Sequence, residues 1–431
     1  MEVGVIGAGY VGLVTAACFA NLGHNVICVD IDKEKIKSLK TGKVPIYEPG
    51  LREMVRKNTR GKKLSFTANI SVAVRKSTVI FIAVGTPPRE NGEADLSYVE
   101  NVARKIAKEM PSYRLIVEKS TVPVYTGKKI EETLRAHNER KIKFDVASNP
   151  EFLREGQAIK DFMNPDRIVI GVNSKKAREI LEKLYEKIQS PIVATNIESA
   201  ELIKHASNSF LATKISFMNT VANLCEKCGA DAVNVARGMG LDKRIGASFL
   251  NAGIGFGGFC FPKDLEAFIR ISEKLGYDFD ILRAVKRVNE QQKLLFLKKI
   301  EEALWILNGK TVAVLGLSFK PGTDDIRYAP SIDIIKMLQG EGVKVKAYDP
   351  KAMTRARKVL SGVTFCKDAY AAVRNSDCLA VVTEWDEFSG IDLKRVKKTM
   401  REPVIIDGRN IYDPAMVRRL GFKYKGIGRK E

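Results

Sequence analysis

Short β-branched runs alternate with helical patterns through the first third of the chain. Strands are predicted at Glu2–Gly7, Asn25–Asp30, Val79–Val84, Leu115–Lys119 and Phe144–Ala147, and then at Arg167–Val172 and Ile192–Thr195. Strands separated regularly by helices imply a parallel, doubly wound sheet. The pattern changes at Asn196. From Ile197 to Cys228 there is neither Gly nor Pro, and apolar residues recur at 203, 206, 210, 211, 215, 218, 221, 222 and 225. That is helical spacing, and Gly229 follows it as a C-cap. About 30 helical residues span roughly 45 Å, which suits a spine between domains and a dimer surface better than a surface helix. A second helical region runs from about Lys263 to Leu307, and at Gly309 the α/β rhythm resumes with Thr311–Gly316, Val343–Tyr348, Cys378–Thr383 and Val404–Asp407. The expected fold is α/β: two Rossmann-like doubly wound domains, residues 1–196 and 309–431, joined by a helical middle, residues 197–308.

Composition narrows the class. A chain of 431 residues is too long for one ordinary core, and 45% hydrophobic with 29% charged residues describes a soluble globular protein. No stretch approaches the roughly 18 apolar residues of a membrane helix, and a strand beginning at Glu2 leaves no room for a signal peptide. A cytoplasmic location is therefore expected. Seven scattered cysteines, an odd number, argue for reduced thiols rather than a disulfide framework. Cys225 and Cys228 form a CxxC, but no second pair accompanies it and the chain has only three histidines, so no metal is expected. The charge of +21 arises from Lys and Arg interleaved with Glu along helices, as in Lys175–Lys187. Such a pattern reads as a solvated, ion-paired face. Without a recognition helix, an RNP-like strand or finger spacing, nucleic acid is not an expected partner.

Three segments carry candidate chemistry. Gly7, Gly9 and Gly12 form GxGxxG directly after a strand and at a helix start, where backbone can approach a pyrophosphate. Asp30 ends the second strand, 18 residues past Gly12. A carboxylate there binds ribose hydroxyls and favours NAD over NADP, although Lys33 and Lys35 nearby work against that preference. The later segment VAVLGLSFKPGTDDIR has Gly316 but no GxGxxG, which argues against a second dinucleotide. Lys320 and Arg327 follow its first strand, either to hold an anionic nucleotide group or as ordinary surface charge. Between 253 and 264, Gly253, Gly255, Gly257 and Gly258 precede Cys260, Lys263 and Asp264. So many glycines read as a loop that lets backbone approach a ligand rather than as packed core. A cation and a helix start behind the cysteine would both stabilise a thiolate. Lys204 and Asn208 lie four apart on one helix face, and Glu151 and Glu155 lie in a turn after a strand. By pattern alone these four would usually be solvated surface.

The segments GAGYVG, VGTPP (84–88), EKSTVP (118–123), SNPEFLREG (148–156), KHASNSFLA (204–212), FLNAGIGFGGFCFPKD (249–264) and SFKPGTDDIR (318–327) occur in order over nearly the whole chain. Together they resemble the UDP-glucose/GDP-mannose dehydrogenase family, most of all its UDP-glucose branch. The resemblance implies NAD as cofactor, a sugar nucleotide as substrate, a homodimer through the central helix and a four-electron oxidation of UDP-glucose to UDP-glucuronate. It assigns Cys260 as the nucleophile that passes through a thiohemiacetal and a thioester. Lys204 and Asn208 become oxyanion stabilisers, Asp264 a proton-transfer group, Glu151 the activator of the hydrolytic water, and Thr121 a residue that orders water at the nicotinamide end. Tyr10, Val11, Asp30, Lys35, Thr86, Glu155, Lys263 and Arg327 match cofactor positions. Phe152, Leu153, Arg154, Phe249, Asn251, Gly253, Gly257 and Lys320 match substrate positions, and Arg244 and Arg409 match positions directed to a neighbouring subunit's substrate. The chain departs from the family where Phe259 replaces the usual small Ser before the nucleophile. GDP-mannose or a UDP-N-acetyl sugar stays open as the substrate. A two-electron β-hydroxyacid dehydrogenase would need neither Cys260 nor a second α/β domain, and a non-catalytic nucleotide-binding module would need no intact set of Cys260, Lys204, Asn208 and Asp264.

Overall fold

The computed structural model describes residues 1–430. The chain divides into two compact units, Met1–Ser207 with Glu266–Leu275 and Asn208–Leu265 with Gly276–Glu431.

The first unit is built on eight strands, β1 (Glu2–Ile6), β2 (Asn25–Val29), β3 (Leu64–Thr67), β4 (Val79–Ile82), β5 (Arg114–Glu118), β6 (Phe144–Ser148), β7 (Ile168–Val172) and β8 (Ile192–Thr195), in the order β3-β2-β1-β4-β5-β6-β7-β8. Its central strands β4 and β5 are buried along their whole length, as strands covered by helices on both faces must be. One junction departs from the expected parallel sheet. β6 and β7 pair antiparallel (Ala147 with Val172) while β7 and β8 pair parallel, so the last two strands run opposite to the rest. The second unit carries β9 (Thr311–Leu315), β10 (Lys344–Tyr348), β11 (Thr364–Phe365), β12 (Cys378–Val381), β13 (Val404–Asp407) and β14 (Lys423–Gly426), all parallel, in the order β11-β10-β9-β12-β13-β14. The strands missed from sequence, β3, β11 and β14, are short and lie at sheet edges, where a two-faced hydrophobic run is not required.

The helix Ile197–Cys228 has the expected bounds and contributes residues to both units. Its buried face mixes polar residues with Met218, Ala222 and Cys225 of the expected apolar series, and some large apolar residues lie outside. Glu201, Lys204, His205, Asn208, Ser209, Ser216 and Asn219 are buried, whereas Phe210, Phe217 and Leu224 are 66%, 54% and 59% exposed. A polar face can be buried when hydrogen bonds satisfy it, and Glu201, His205, Asn208 and Asn219 each make one. The later helical region is two helices, Cys260–Lys274 and Asp280–Leu304, broken at Gly276, whose φ of 74° suits glycine. The second helix drives Phe296, Ile300 and Leu304 into the core under β9 and β12, at about 1.5–3 kcal/mol for each large side chain removed from water. No helix among the described residues is long and apolar enough to cross a membrane.

Candidate active site

The first unit holds a cradle for a dinucleotide. β1 leads through Gly7 into the helix Tyr10–Asn21, which has no side-chain cap and no acidic residue in its first turn. Gly7 has φ 108°, and a Cβ there would sit 2.4 Å from the Ala83 carbonyl oxygen; one on Gly12 would sit 1.9 Å from that of Gly7. Those two glycines are demanded by packing. A Cβ on Gly9 would meet nothing within 4 Å, so the uncapped helix start is open to an anion there. Asp30 accepts from Ala8 N (2.9 Å), Asp32 N (3.0 Å) and Lys35 Nζ (2.9 Å). Burial works to raise its pKa, but these bonds outweigh it and hold the carboxyl below the ordinary range. An ionised Asp30 suits ribose hydroxyls and repels a 2′-phosphate. The charge of Lys35, expected to work against NAD, is paired with Asp30 itself. These residues fit NAD. The Tyr10 hydroxyl donates to Glu48 and accepts from Gly156 N (3.1 Å), while Glu48 also accepts from Gly156 N (2.7 Å) and Ala158 N (2.8 Å). Tyr10 thus anchors the 151–156 turn to the cradle, and Val11 lies partly buried beside it.

The carboxyl ends of β5 and β6 hold a buried group of charges. Lys204 Nζ lies 3.2 Å from Glu151 Oε1, with both side chains 5% exposed. The other Glu151 oxygen accepts from Leu153 N (2.5 Å). Lys119 Nζ donates to Asn149 Oδ1 (2.9 Å), an oxygen that also accepts from the Tyr185 hydroxyl (2.6 Å). Burial lowers the Lys119 pKa to about 7, a shift that Glu151 opposes and Lys204 reinforces. The Phe152 ring lies under the Arg167 guanidinium at 3.7 Å and 5.3 Å from Lys204 Nζ, so two cations share one aromatic face system. Thr86 is buried and its hydroxyl donates to the Thr121 carbonyl (3.0 Å). Arg154 pairs with Asp161 (2.6 Å) on the exposed side of the turn, and Glu155 is partly buried next to it.

The second unit holds the cysteine segment, and here the sequence expectation needs correction. The run from Ala252 to Gly258 is not an exposed loop but buried, packed backbone. Gly253 N donates to Asn219 Oδ1 (2.8 Å) and Gly253 O accepts from Gln292 (3.0 Å). Phe256 exchanges two bonds with Asn289, at 2.8 and 3.1 Å. Arg409 donates to Gly255 O (3.1 Å). A Cβ on Gly257 would lie 2.3 Å from the Tyr328 carbonyl oxygen, and one on Gly258 2.7 Å from the Phe319 ring. The glycines admit close neighbours from the protein itself.

Cys260, partly exposed, is the first residue of its helix, where amide dipoles favour a thiolate. Asp264 stands one turn on, 1% exposed, accepts from Asn208 Nδ2 (2.6 Å) and forms an ion pair with Lys263 Nζ (2.7 Å). Lys263, expected to support the thiolate, is therefore committed to Asp264. Phe259 has a place of its own: Arg327 sits 4.2 Å and Lys263 5.6 Å from its ring centroid, and Arg327 is also held by Asp325 (2.5 Å). The remaining positions scatter. Phe249, with φ 66°, stacks near Phe261 at 6.2 Å; Asn251 is exposed; and Lys320 lies 5.5 Å from the Phe319 ring. Arg244 is an exposed partner of Asp242 (2.6 Å), whereas Arg409 is tied within its own unit to Val382 O (2.9 Å) and Glu384 (3.2 Å). Among the described residues no group of His, Cys, Asp and Glu is arranged to hold a metal ion.

Sequence reasoning missed Glu48, Lys119, Asn149, Asn219, Asn289 and Gln292. The last three had a signal. Asn219 falls three turns beyond Asn208 on the same helix face, and Asn289 and Gln292 lie one turn apart, so polar residues recur with helical period on a face that must pack.

Comparison with known proteins agrees with this geometry. Residues 1–189, 198–291 and 313–414 match, respectively, the NAD binding, central and UDP binding domains described for the UDP-glucose/GDP-mannose dehydrogenase family. The chain is 49% identical over 429 residues to the UDP-glucose 6-dehydrogenase TuaD of Bacillus subtilis (strain 168), covering 99% of this chain and 93% of the relative. It resembles the structure of a UDP-glucose dehydrogenase from the hyperthermophilic archaeon Pyrobaculum islandicum, with TM-score 0.93 and 41% identity over 99% of this chain and 97% of the other. It also resembles the structure of a UDP-D-ManNAc dehydrogenase from Pyrococcus horikoshii, with TM-score 0.89 and 30% identity over the full length of both.

Proposed function

The chain belongs to the UDP-glucose/GDP-mannose dehydrogenase family, and from that premise we propose that it oxidises UDP-glucose to UDP-glucuronate with two NAD per sugar. Bound at the Gly9 cradle, NAD supplies the hydride acceptance that each of the two oxidations requires. The residues do the rest. Asp264, held by Asn208, takes up the proton that leaves the sugar C6 hydroxyl, through a water. The Cys260 thiolate then adds to the aldehyde, because a planar carbonyl has no hydride to give until it becomes tetrahedral. Lys204 and Asn208 stabilise the oxyanion so formed, and its collapse leaves a thioester on Cys260. Glu151, fixed by Leu153 N and Lys204, activates the water that releases the acid and returns the thiolate. Phe152, Leu153, Phe249, Asn251, Gly253, Gly257 and Lys320 are assigned to the sugar nucleotide, and Thr86, Thr121, Glu155, Lys263 and Arg327 to the cofactor side. The observation that carries this reading is Cys260 at the first position of a helix whose next turn presents Asp264 bonded to Asn208.

The exposed Phe210, Phe217 and Leu224, seven residues apart, supply the apolar stripe of a homodimer through the central helix, with Arg244 reaching the partner's substrate. We assign the chain to the cytoplasm and divide it into a cofactor domain (1–196), a central dimerisation domain (197–308) and a sugar-nucleotide domain (309–431). The test is the NADH yield per sugar nucleotide consumed, with UDP-glucose, GDP-mannose and UDP-N-acetylmannosamine in parallel. Two NADH from UDP-glucose alone are expected. Two from either other sugar would move the substrate assignment, and one or none from all three would overturn the covalent four-electron reading.

A further inference from the structure

The buried polar face of the long helix has members that the proposed reaction leaves without a role. One turn before Lys204 stands Glu201, 2% exposed, and immediately after it His205, 1% exposed. Both reach the same segment, the turn that follows β5. Glu201 accepts from Tyr125 N (2.8 Å) through one oxygen and from Gly127 N (2.7 Å) through the other. His205 Nε2 donates to the Val122 carbonyl (2.8 Å), and its ring lies 5.8 Å from that of Phe268. The turn between these contacts is not one the chain adopts unaided. Tyr125 has φ 73°, a left-handed conformation costly for an aromatic residue, and Gly127 packs so closely that a Cβ there would lie 2.5 Å from Ile197. At its start the turn is fixed again, by Ser120 N donating to Glu118 (2.6 Å) and by the Thr86 hydroxyl on Thr121 O.

The turn is thus held at Thr121 by Thr86, beyond the end of β4, and at Val122, Tyr125 and Gly127 by the long helix. Each buried polar group reaching the turn bonds backbone, so what is specified is where the turn lies rather than what it is made of. We propose that Glu201 and His205 are positioning residues, which set the place of the 120–127 turn and through it the place of Thr121 at the reacting end of the cofactor. The inference rests on the role given to Thr121 above. The long helix would then hold, from three successive side chains on one face, both the oxyanion partner Lys204 and the turn that orders the cofactor side.

Four variants test this: Glu201→Gln, which turns an NH2 toward one of the two amides; His205→Leu, which removes the donor; His205→Gln, which restores it; and Thr121→Ala. In the protein without cofactor, amide exchange across residues 120–127 is expected to rise at least about tenfold in Glu201→Gln and His205→Leu while the β4 and β5 amides stay protected. Turnover on UDP-glucose is expected to fall about ten- to a hundredfold, with KM for the sugar changed less than about twofold, and His205→Gln is expected to recover most of the loss. The deciding readout is coupling. In a Thr121→Ala background the Glu201 and His205 substitutions should cost less than about twofold further, whereas general destabilisation would persist in full. Losses that multiply with Thr121→Ala, or turnover unchanged in Glu201→Gln and His205→Leu, would overturn the inference. A Thr121→Ala enzyme as active as wild type would instead remove the Thr121 assignment on which it stands, leaving the reaction assignment to be judged by the NADH yield of the wild type.

Discussion

Asp30 and Cys260 were legible because each sits at a fixed offset in a local motif, the strand end after GxGxxG and the cysteine behind a glycine run. Their roles can be tested singly. Asp30→Ala should weaken NADH binding by about 1–3 kcal/mol in a fluorescence titration, since it loses the ribose acceptor and strands the Ala8 amide. Cys260→Ser and Cys260→Ala should form no more than the first NADH and lose net acid production by at least about a thousandfold in a stopped assay, and full acid production in Cys260→Ala would sink the covalent route. Lys119 and Asn149 were not legible, because each looks unremarkable until β5 and β6 lie side by side. The same holds for a buried carboxyl beside them. Burial, helped by Glu201, raises Glu118 from 4.5 to about 8, and burial raises Glu201 to about 7. Between pH 4.5 and these values the folded chain keeps protons that the unfolded chain has released. Their stabilising contribution is therefore full below about pH 4.5 and lost as pH rises to about 8. Glu118→Gln keeps an acceptor for Ser120 N and removes the titration, so its melting temperature should vary less than that of wild type between pH 5 and 8. Parallel profiles would refute the assignment of a proton to Glu118.

At the level of elements, the long helix shows what periodicity can and cannot tell. Its span followed from an unbroken run without Gly or Pro, but spacing alone does not say which face is buried. The buried one carries Glu201, His205, Asn208 and Asn219 beside Met218 and Ala222 because each of the four meets a specific partner, while Phe210, Phe217 and Leu224 are left outside. Phe217→Glu should convert a dimer to a monomer in sedimentation, because a two-fold axis places the new charge in the interface twice, while intrachain melting changes little. A dimer of unchanged affinity would rule this stripe out as the interface. The cysteine segment makes the complementary point. Its glycine content was visible, but what crowds it comes from the helix Asp280–Leu304 and the β13 end, far away in sequence. Asn289→Ala should cost about 1–3 kcal/mol in urea unfolding by stranding Phe256 N, with Cys260 reactivity reduced alongside.

For the whole molecule, alternating strand and helix patterns were enough to place two doubly wound sheets, and the absence of a second GxGxxG separated their uses. The structure gives that difference a physical form. Asp349 follows β10 as Asp30 follows β2, but its carboxylate accepts from Leu317 N (2.8 Å), Ser318 N (3.0 Å) and the Trp385 indole (3.2 Å) and is 1% exposed, so no ribose can use it. The reversal of β7 and β8 was not legible, since a strand's sequence does not encode its direction. The spacing of partnered residues along the long helix has a further effect, on how the chain can change length. Each residue added to a helix turns everything beyond it by about 100° and advances it about 1.5 Å. One residue inserted between Phe210 and Phe217 would turn Asn219 by about 100° relative to Asn208, and Phe217 by the same angle relative to Phe210, so the bonds to Asp264 and Gly253 N and the apolar stripe could not all be kept. Surface turns elsewhere can grow or shrink piecemeal. This helix is a graduated rod on which unrelated tasks are marked at fixed divisions, and its length is bound to theirs.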